Sequence, residues 1–159
     1  MREKKPAPRF APMKSSSLPA ATIANRHLRQ GWWSLFAFLA LGVALETLHG
    51  FKIGWYLAAD VEMRRLMFTL AHSHGTLLAL LNIAAGLTIR SVPEFNPGHA
   101  PSSAIRWGTL ILPLGFLLGG VIIHDGDPGV TVLLVPVGAV LLLYGVGSSA
   151  RSLSQALKN

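Results

Sequence analysis

Four apolar segments, each close to the length needed to cross a bilayer, constrain this chain more than any other feature of its sequence. They cover about 32–48, 66–89, 107–123 and 130–146. A transmembrane helix needs roughly 20 mostly apolar residues to cross about 30 Å of hydrocarbon. Only 13% of the 159 residues are charged, whereas soluble domains average about 25%. The sequence therefore predicts an all-α integral membrane protein, a four-helix bundle in up-down-up-down order.

The chain divides into three parts by composition. Residues 1–28 are rich in Pro, Ser and basic side chains, which predicts a disordered basic arm. Residues 29–150 hold the four predicted spans, and residues 151–159 form a short C-terminal tail. A transit peptide and electrostatic contact with anionic lipid headgroups are the alternative uses of the arm.

The distribution of positive charge predicts the orientation of the bundle. Of the 14 Lys and Arg residues, only Lys52, Arg64 and Arg65 fall on the side opposite the chain termini. Cytoplasmic loops and tails carry the excess of Lys and Arg. Both termini are therefore predicted to be cytoplasmic, with the protein in a bacterial inner membrane. Its expected partners are the lipid bilayer and either other membrane subunits or further copies of this chain. The basic excess belongs to the N-terminal arm, so no nucleic-acid partner is predicted.

The absence of cysteine limits the chemistry that is open to this chain. The chain has no Cys, which excludes disulfides, iron–sulfur clusters and thiolate-bound zinc and leaves His, carboxylate and Met as metal ligands.

In the last connection, Asp127 followed by Pro128 is typical of a helix N-cap and first helical position. We expect the fourth helix to begin there.

His72 and His74 lie inside the second apolar segment, which contains no Asp, Glu, Lys or Arg. Ionisable groups at membrane depth are costly and usually face a bundle interior or a functional site. Two residues on a helix are separated by about 200°, so the two imidazoles are expected to face different ways. Thr69 and Thr76 extend the face of His72, which favours His72 as the inward residue. For His74, a facing carbonyl, the far side of a ligand and another subunit all stay open.

Further polar residues are predicted at the outer end of the bundle. Glu46 and His49 are three residues apart and share a helix face; this spacing occurs in carboxylate-bridged metal bundles, and a plain Glu–His hydrogen bond explains it equally well. His124 follows the third segment, beside Asp125, a carboxylate that would orient its imidazole.

These residues give three overlapping predictions. The predicted metal ligands are Glu46, His49, His72 and His124, for Zn, Cu or Fe. The predicted cofactor-binding residues, for haem b, are His49, His72, His74, His124, Arg64 and Arg65, with the two Arg residues free to pair with propionates, to neutralise Glu46 or Asp125, or to reach lipid phosphates. The catalytic candidates are Glu46 and His72.

The functional hypothesis from these residues is a membrane-embedded metal or haem site on the outer side, serving redox chemistry or electron transfer. The alternatives are a metal-free isomerase that uses Glu and His as acid and base and a non-catalytic accessory subunit. Gly75 and Asn82 are interpreted as ordinary helix packing and an interhelical hydrogen bond. His27 and His99 are assigned no site role.

The run Leu-Ala-His72-Ser-His74-Gly75-Thr-Leu-Leu-Ala-Leu-Leu-Asn82 resembles small four-span bacterial inner-membrane proteins of unknown function. It is also similar to hydroxylaminobenzene mutases, whose second span carries a His-x-x-Gly element followed by Leu-Leu-Asn. The resemblance covers residues 70–82 and maps onto His72, Gly75 and a shifted Asn82. It implies an isomerase. His74, the Glu46/His49 pair and His124 depart from that pattern.

Overall fold

The computed structural model describes residues 19–57 and 62–158, and this part of the chain is almost entirely helical. Four of its helices are long and apolar enough to cross a membrane, which confirms an all-α bundle. The elements are α1 (Ala20–Gly50), α2 (Gly54–Leu57), α3 (Glu62–Ser91), α4 (His99–Val121), a two-stranded hairpin of β1 (Ile123–His124) and β2 (Asp127–Pro128), a 3₁₀ turn (Val130–Leu133), and α5 (Leu134–Ala156).

The helices extend beyond the apolar segments at most of their ends. α1 begins at Ala20, so the prediction of disorder is wrong for residues 20–28, while residues 1–18 lie outside the described residues. α5 continues to Ala156, so most of the predicted C-terminal tail is helical. The 31 residues of α1 give a length of about 46 Å at 1.5 Å per residue, which exceeds the hydrocarbon thickness of about 30 Å. The apolar pattern marks the part expected inside lipid, whereas the helices continue beyond it through more polar residues.

Each long helix packs against the next one in the chain: α1 on α3, α3 on α4, and α4 on α5. Along the first pair, Gly31 lies against Ile83 and Gly42 lies against His72. Residue numbers in contact therefore rise along α1 as they fall along α3, so the two helices run in opposite directions. The same holds for α4 and α5, where Gly108 meets Leu142 and Gly115 meets Val135.

The connection after α1 folds back onto the bundle. Lys52 adopts a positive φ of 52°, and the amides of Lys52 and Ile53 bond the carbonyls of His49 and Leu48. This is the Schellman arrangement that ends a helix. It directs the chain into α2, whose Tyr56 is buried against Leu45 and Phe68.

The connection between α4 and α5 differs from its predicted form. Asp125 and Gly126 both have positive φ values, 50° and 86°, as a two-residue hairpin turn requires. Asp127 pairs with His124 across the hairpin, and the residue that precedes the 3₁₀ turn is Gly129, which provides no side-chain cap. The predicted N-cap at Asp127 is therefore wrong, because the Asp-Gly turn places Asp127 in a strand.

Candidate functional site

A cavity of about 400 Å³ lies between α1 and α3, at the end of the bundle where α1 finishes. It contains three of the residues that the sequence indicated: Glu46, His49 and His72. The remaining lining is Leu39, Gly42, Val43, Leu45, Tyr56 and Thr69. The cavity therefore combines two imidazoles, one carboxyl group and one phenol on an apolar surface.

His72 is held in one orientation by the backbone of α1. Its Nδ1 lies 2.7 Å from the carbonyl oxygen of Phe38; since a carbonyl only accepts, Nδ1 carries the hydrogen and Nε2 of the neutral ring is an acceptor. The ring rests on Gly42, where an added Cβ would stand 2.8 Å from Nδ1 and 3.0 Å from Nε2. A glycine is thus required for this close approach. His72 therefore contributes an imidazole of fixed orientation to the lining of the cavity.

Glu46 and His49 approach the cavity from α1 and are both exposed. Their spacing of three residues places them on one face of the helix. Tyr56 approaches from α2 and is buried, with 5% of its surface accessible. Tyr56 was not identified from the sequence as a cavity residue. The sequence feature that could have indicated its position is the turn at Lys52-Ile53-Gly54, which returns the chain to α1.

Arg64 and Arg65 hold α2 in place. Arg64 donates from Nε to the Gly120 carbonyl at 3.2 Å and from Nη1 to the Trp55 carbonyl at 2.9 Å, and its guanidinium lies 4.6 Å from the centre of the Trp55 ring. Arg65 donates to the Leu57 carbonyl at 3.0 Å. The two side chains therefore bind the backbone beside Tyr56, and neither lines the cavity.

His74 and His124 lie elsewhere. The Nδ1 of His74 bonds the Leu70 carbonyl of its own helix at 2.9 Å, and its ring packs on Phe116 of α4 at a centroid distance of 5.1 Å. His124 is exposed in the hairpin and does not line the cavity. His72 and His74 thus face different helices, as the helical phase predicts.

A transition-metal ion held by protein side chains needs three or more ligands. Within residues 19–57 and 62–158, no three His, Asp or Glu side chains come close enough to hold a metal ion. The arrangement of Glu46, His49 and His72 in this structure is therefore not a closed metal site. This geometry does not concern haem, whose iron can be held by a single imidazole.

A second polar cluster is buried near the start of α1. His27 and Asn82 are fully buried, and Ser102 and Thr109 nearly so. His27 bonds Asn82 through Nδ1 at 2.8 Å and Ser102 through Nε2 at 2.9 Å, while Nδ2 of Asn82 donates to Thr109 at 2.6 Å. We call these four residues the buried network. They join α1, α3 and α4.

The hydrogen-bond directions in the buried network form a consistent set. Asn82 uses its amide nitrogen toward Thr109, so its carbonyl oxygen accepts from Nδ1 of His27. Nε2 of neutral His27 then accepts from the hydroxyl of Ser102. Thr109 passes its own hydrogen to the Arg106 carbonyl at 2.9 Å. Because each of these buried side chains has a hydrogen-bond partner on another helix, the arrangement stabilises one packing of the three helices.

Sequence reasoning foresaw an interhelical bond for Asn82 and gave His27 no site role, placing it in the disordered arm. The missed signal was the spacing of Ile23, Ala24, His27 and Gly31, all buried on one face of α1, which is the helical period.

No family model, curated protein or solved structure matches this chain.

Proposed function

We propose that this integral membrane protein binds a small membrane-soluble molecule in the α1–α3 cavity and transfers a proton on it without a metal. The observation that carries the proposal is the oriented imidazole of His72 in a cavity that also contains Glu46, His49 and Tyr56. Groups that lipid disfavours are retained where they have a function.

The chemistry follows from the groups that line the cavity. Nε2 of His72 has a free lone pair when Nδ1 carries the hydrogen, and the carboxyl group of Glu46, the imidazole of His49 and the phenol of Tyr56 are the other groups that can exchange a proton with the ligand. Removal of one proton and return of one proton changes no oxidation state, so the net reaction is an isomerisation. The resemblance of residues 70–82 to hydroxylaminobenzene mutases supports the same reaction class.

The cavity is open toward the membrane on its apolar side. Leu39 and Val43 line it and are also exposed, so its apolar side is continuous with the lipid-facing surface of α1. An apolar ligand dissolved in the bilayer has direct access on this side. The charged groups lie at the end of α1, toward the membrane surface, where a polar substituent would be solvated.

We also propose how the protein lies in the membrane. In a bacterial inner membrane with both termini cytoplasmic, the four antiparallel spans form an up-down-up-down bundle and the cavity opens on the outer side. The support is the charge distribution, since three of the 14 Lys and Arg residues flank the cavity end of the chain. Lipid, and either further copies of this chain or other membrane subunits, would cover its apolar faces.

Haem-dependent electron transfer is the second candidate. It is favoured by the bond from Nδ1 of His72 to the Phe38 carbonyl, because ligating histidines commonly fix their tautomer with such a bond. His72 would be the residue that binds the haem iron, and the haem would supply one-electron redox chemistry.

The bound content of protein purified from its own membrane tests both candidates. We expect mass spectrometry of an organic extract to find one small compound at near-stoichiometric amount, and the purified chain to interconvert it with an isomer. His72→Gln and Glu46→Gln should each lower that conversion at least tenfold, while Ser148→Ala, on the distant α5, should not. Conversion that survives both substitutions would overturn the proposal. A haem absorbance spectrum that disappears in His72→Gln would establish the second candidate instead.

A further inference from the structure

Three arginines form a positively charged cluster at the end of the bundle opposite the cavity. Arg26 and Arg29 lie on α1, and Arg106 on α4 is hydrogen-bonded to Gln30, which follows Arg29 directly on α1. Positions 26, 29 and 30 share one helix face. Like charges placed near one another raise the free energy of the folded chain unless an anion neutralises them. We call these three residues the arginine cluster.

Arg106 is held toward α1 by a reciprocal pair of hydrogen bonds with Gln30. Nε of Arg106 donates to Oε1 of Gln30 at 2.8 Å, and Nε2 of Gln30 donates to the Arg106 carbonyl at 2.7 Å. The amide of Gln30 thereby fixes the guanidinium without neutralising it. Among the residues that the structure describes, the Arg106 side chain makes no other hydrogen bond.

Within residues 19–57 and 62–158, the single ion pair is between Arg65 and Glu62, at the opposite end of α3. No described carboxylate therefore pairs with the arginine cluster. Beside the cluster is a depression of about 280 Å³, lined by Thr22, Asn25, Arg26 and Arg29. Its hydroxyl and amide groups are hydrogen-bond donors suited to the oxygens of an oxyanion.

We propose that the arginine cluster binds a phosphate group. Guanidinium groups match phosphate geometry with paired, charge-assisted hydrogen bonds. Trp32 and Trp107 are exposed on the same helices within a few residues of the cluster, which is typical of the membrane–water interface. The phosphate comes either from an anionic lipid headgroup at that interface or from a free phosphorylated molecule.

Native mass spectrometry of the detergent-purified full chain tests this site, with phosphatidic acid as the probe and phosphatidylcholine as the comparison lipid. We expect Arg26→Gln with Arg29→Gln to weaken phosphatidic acid binding about tenfold, which corresponds to about 1.4 kcal/mol. Arg151→Gln with Lys158→Gln removes the same charge outside the cluster and should have little effect. Equal weakening in the two double variants would show general attraction by net charge and would overturn the proposal.

Gln30→Ala tests whether the position of the Arg106 guanidinium matters apart from its charge, because it releases Arg106 and leaves the net charge of the protein unchanged. We expect it to weaken binding as well, and unchanged affinity would count against a built site. It also covers the case in which the double variant fails to fold, which circular dichroism would reveal.

Competition identifies the source of the phosphate. If millimolar inorganic phosphate leaves phosphatidic acid bound, the ligand is a lipid headgroup. If inorganic phosphate binds with the same dependence on Arg26 and Arg29, and phosphatidic acid binds no better than phosphatidylcholine, the ligand is a free phosphate. If neither probe depends on the cluster, the site does not exist.

Discussion

The contact between Gly42 and the His72 ring determines whether His72 keeps its orientation. A Cβ at position 42 would stand 2.8 Å from Nδ1, inside van der Waals contact, so the ring must move. We expect Gly42→Ala to break the bond to Phe38, to lower the free energy of unfolding by about 1–3 kcal/mol, and to reduce ligand retention in the cavity. Detergent-denaturation curves and the organic extract measure the two effects.

Gly147→Ala is the matched control, since a Cβ at that position of α5 meets nothing within 4 Å. It should be neutral or stabilise its helix by up to about 1 kcal/mol. If Gly42→Ala behaves like this control, the packing of His72 on α1 is not what orients it.

Asn82 links two of its neighbours in the buried network. Removal of its amide in Asn82→Ala leaves Nδ1 of His27 without an acceptor, whereas Thr109 loses one bond and keeps those to Gln30 and Arg106. We expect a loss of about 1–3 kcal/mol in the free energy of unfolding, the cost of one buried unsatisfied group. Thr88→Ala, which breaks a bond within α3 itself, should cost much less. Comparable losses would show that the network contributes little to stability.

For single residues, the sequence was sufficient to predict which way a side chain faces, but it was not sufficient to predict which residue that side chain bonds. The opposite orientations of His72 and His74 follow from helical geometry, and they are confirmed. The bonds of His72 to Phe38 and of Asn82 to Thr109 depend on the register between helices. No local pattern contains that register, because it results from the packing of small residues such as Gly42 and Gly75 against a facing side chain.

Among the elements, α2 depends most on long-range contacts. It has only 4 residues, too few to be stable alone, and Arg64 holds it through the Trp55 carbonyl. We expect Arg64→Gln to increase hydrogen exchange at the Tyr56 and Leu57 amides about tenfold, since loss of a charge-assisted bond costs about 1.4 kcal/mol or more. Arg90→Gln, at the other end of α3, should leave these amides unchanged. Unchanged exchange in Arg64→Gln would mean that Tyr56 is positioned by burial alone.

The sequence predicts the apolar spans of the helices but not where the helices end. The four spans were predictable because hydrocarbon thickness sets a minimum apolar length. Their ends were not, since residues 20–28 and 151–156 continue the helices with polar side chains. The role of the two arginines at the start of α3 was also missed. Snorkelling and anion binding were the expectations, whereas the structure uses them to bind the carbonyls of Trp55 and Leu57.

At the scale of the whole molecule, the register of the helix pairs places position 51 and position 127 at one end and positions 99 and 155 at the other. The charge distribution predicts that the second end is cytoplasmic. The chain has no Cys, so single substitutions at exposed positions report sidedness without background. The four variants are Phe51→Cys, Asp127→Cys, His99→Cys and Gln155→Cys.

In intact bacterial cells, a membrane-impermeant maleimide should label Phe51→Cys and Asp127→Cys, and it should label the other two variants only after permeabilisation. The unsubstituted chain is the blank. Labelling of all four from outside, or of one from each end, would contradict the four-span topology. The reverse pattern would keep the bundle and invert it, which would place the α1–α3 cavity on the cytoplasmic side and the arginine cluster on the outer one. Because anionic lipid attracts basic segments chiefly at the cytoplasmic leaflet, that inversion would also remove the main reason to expect a lipid phosphate at Arg26, Arg29 and Arg106.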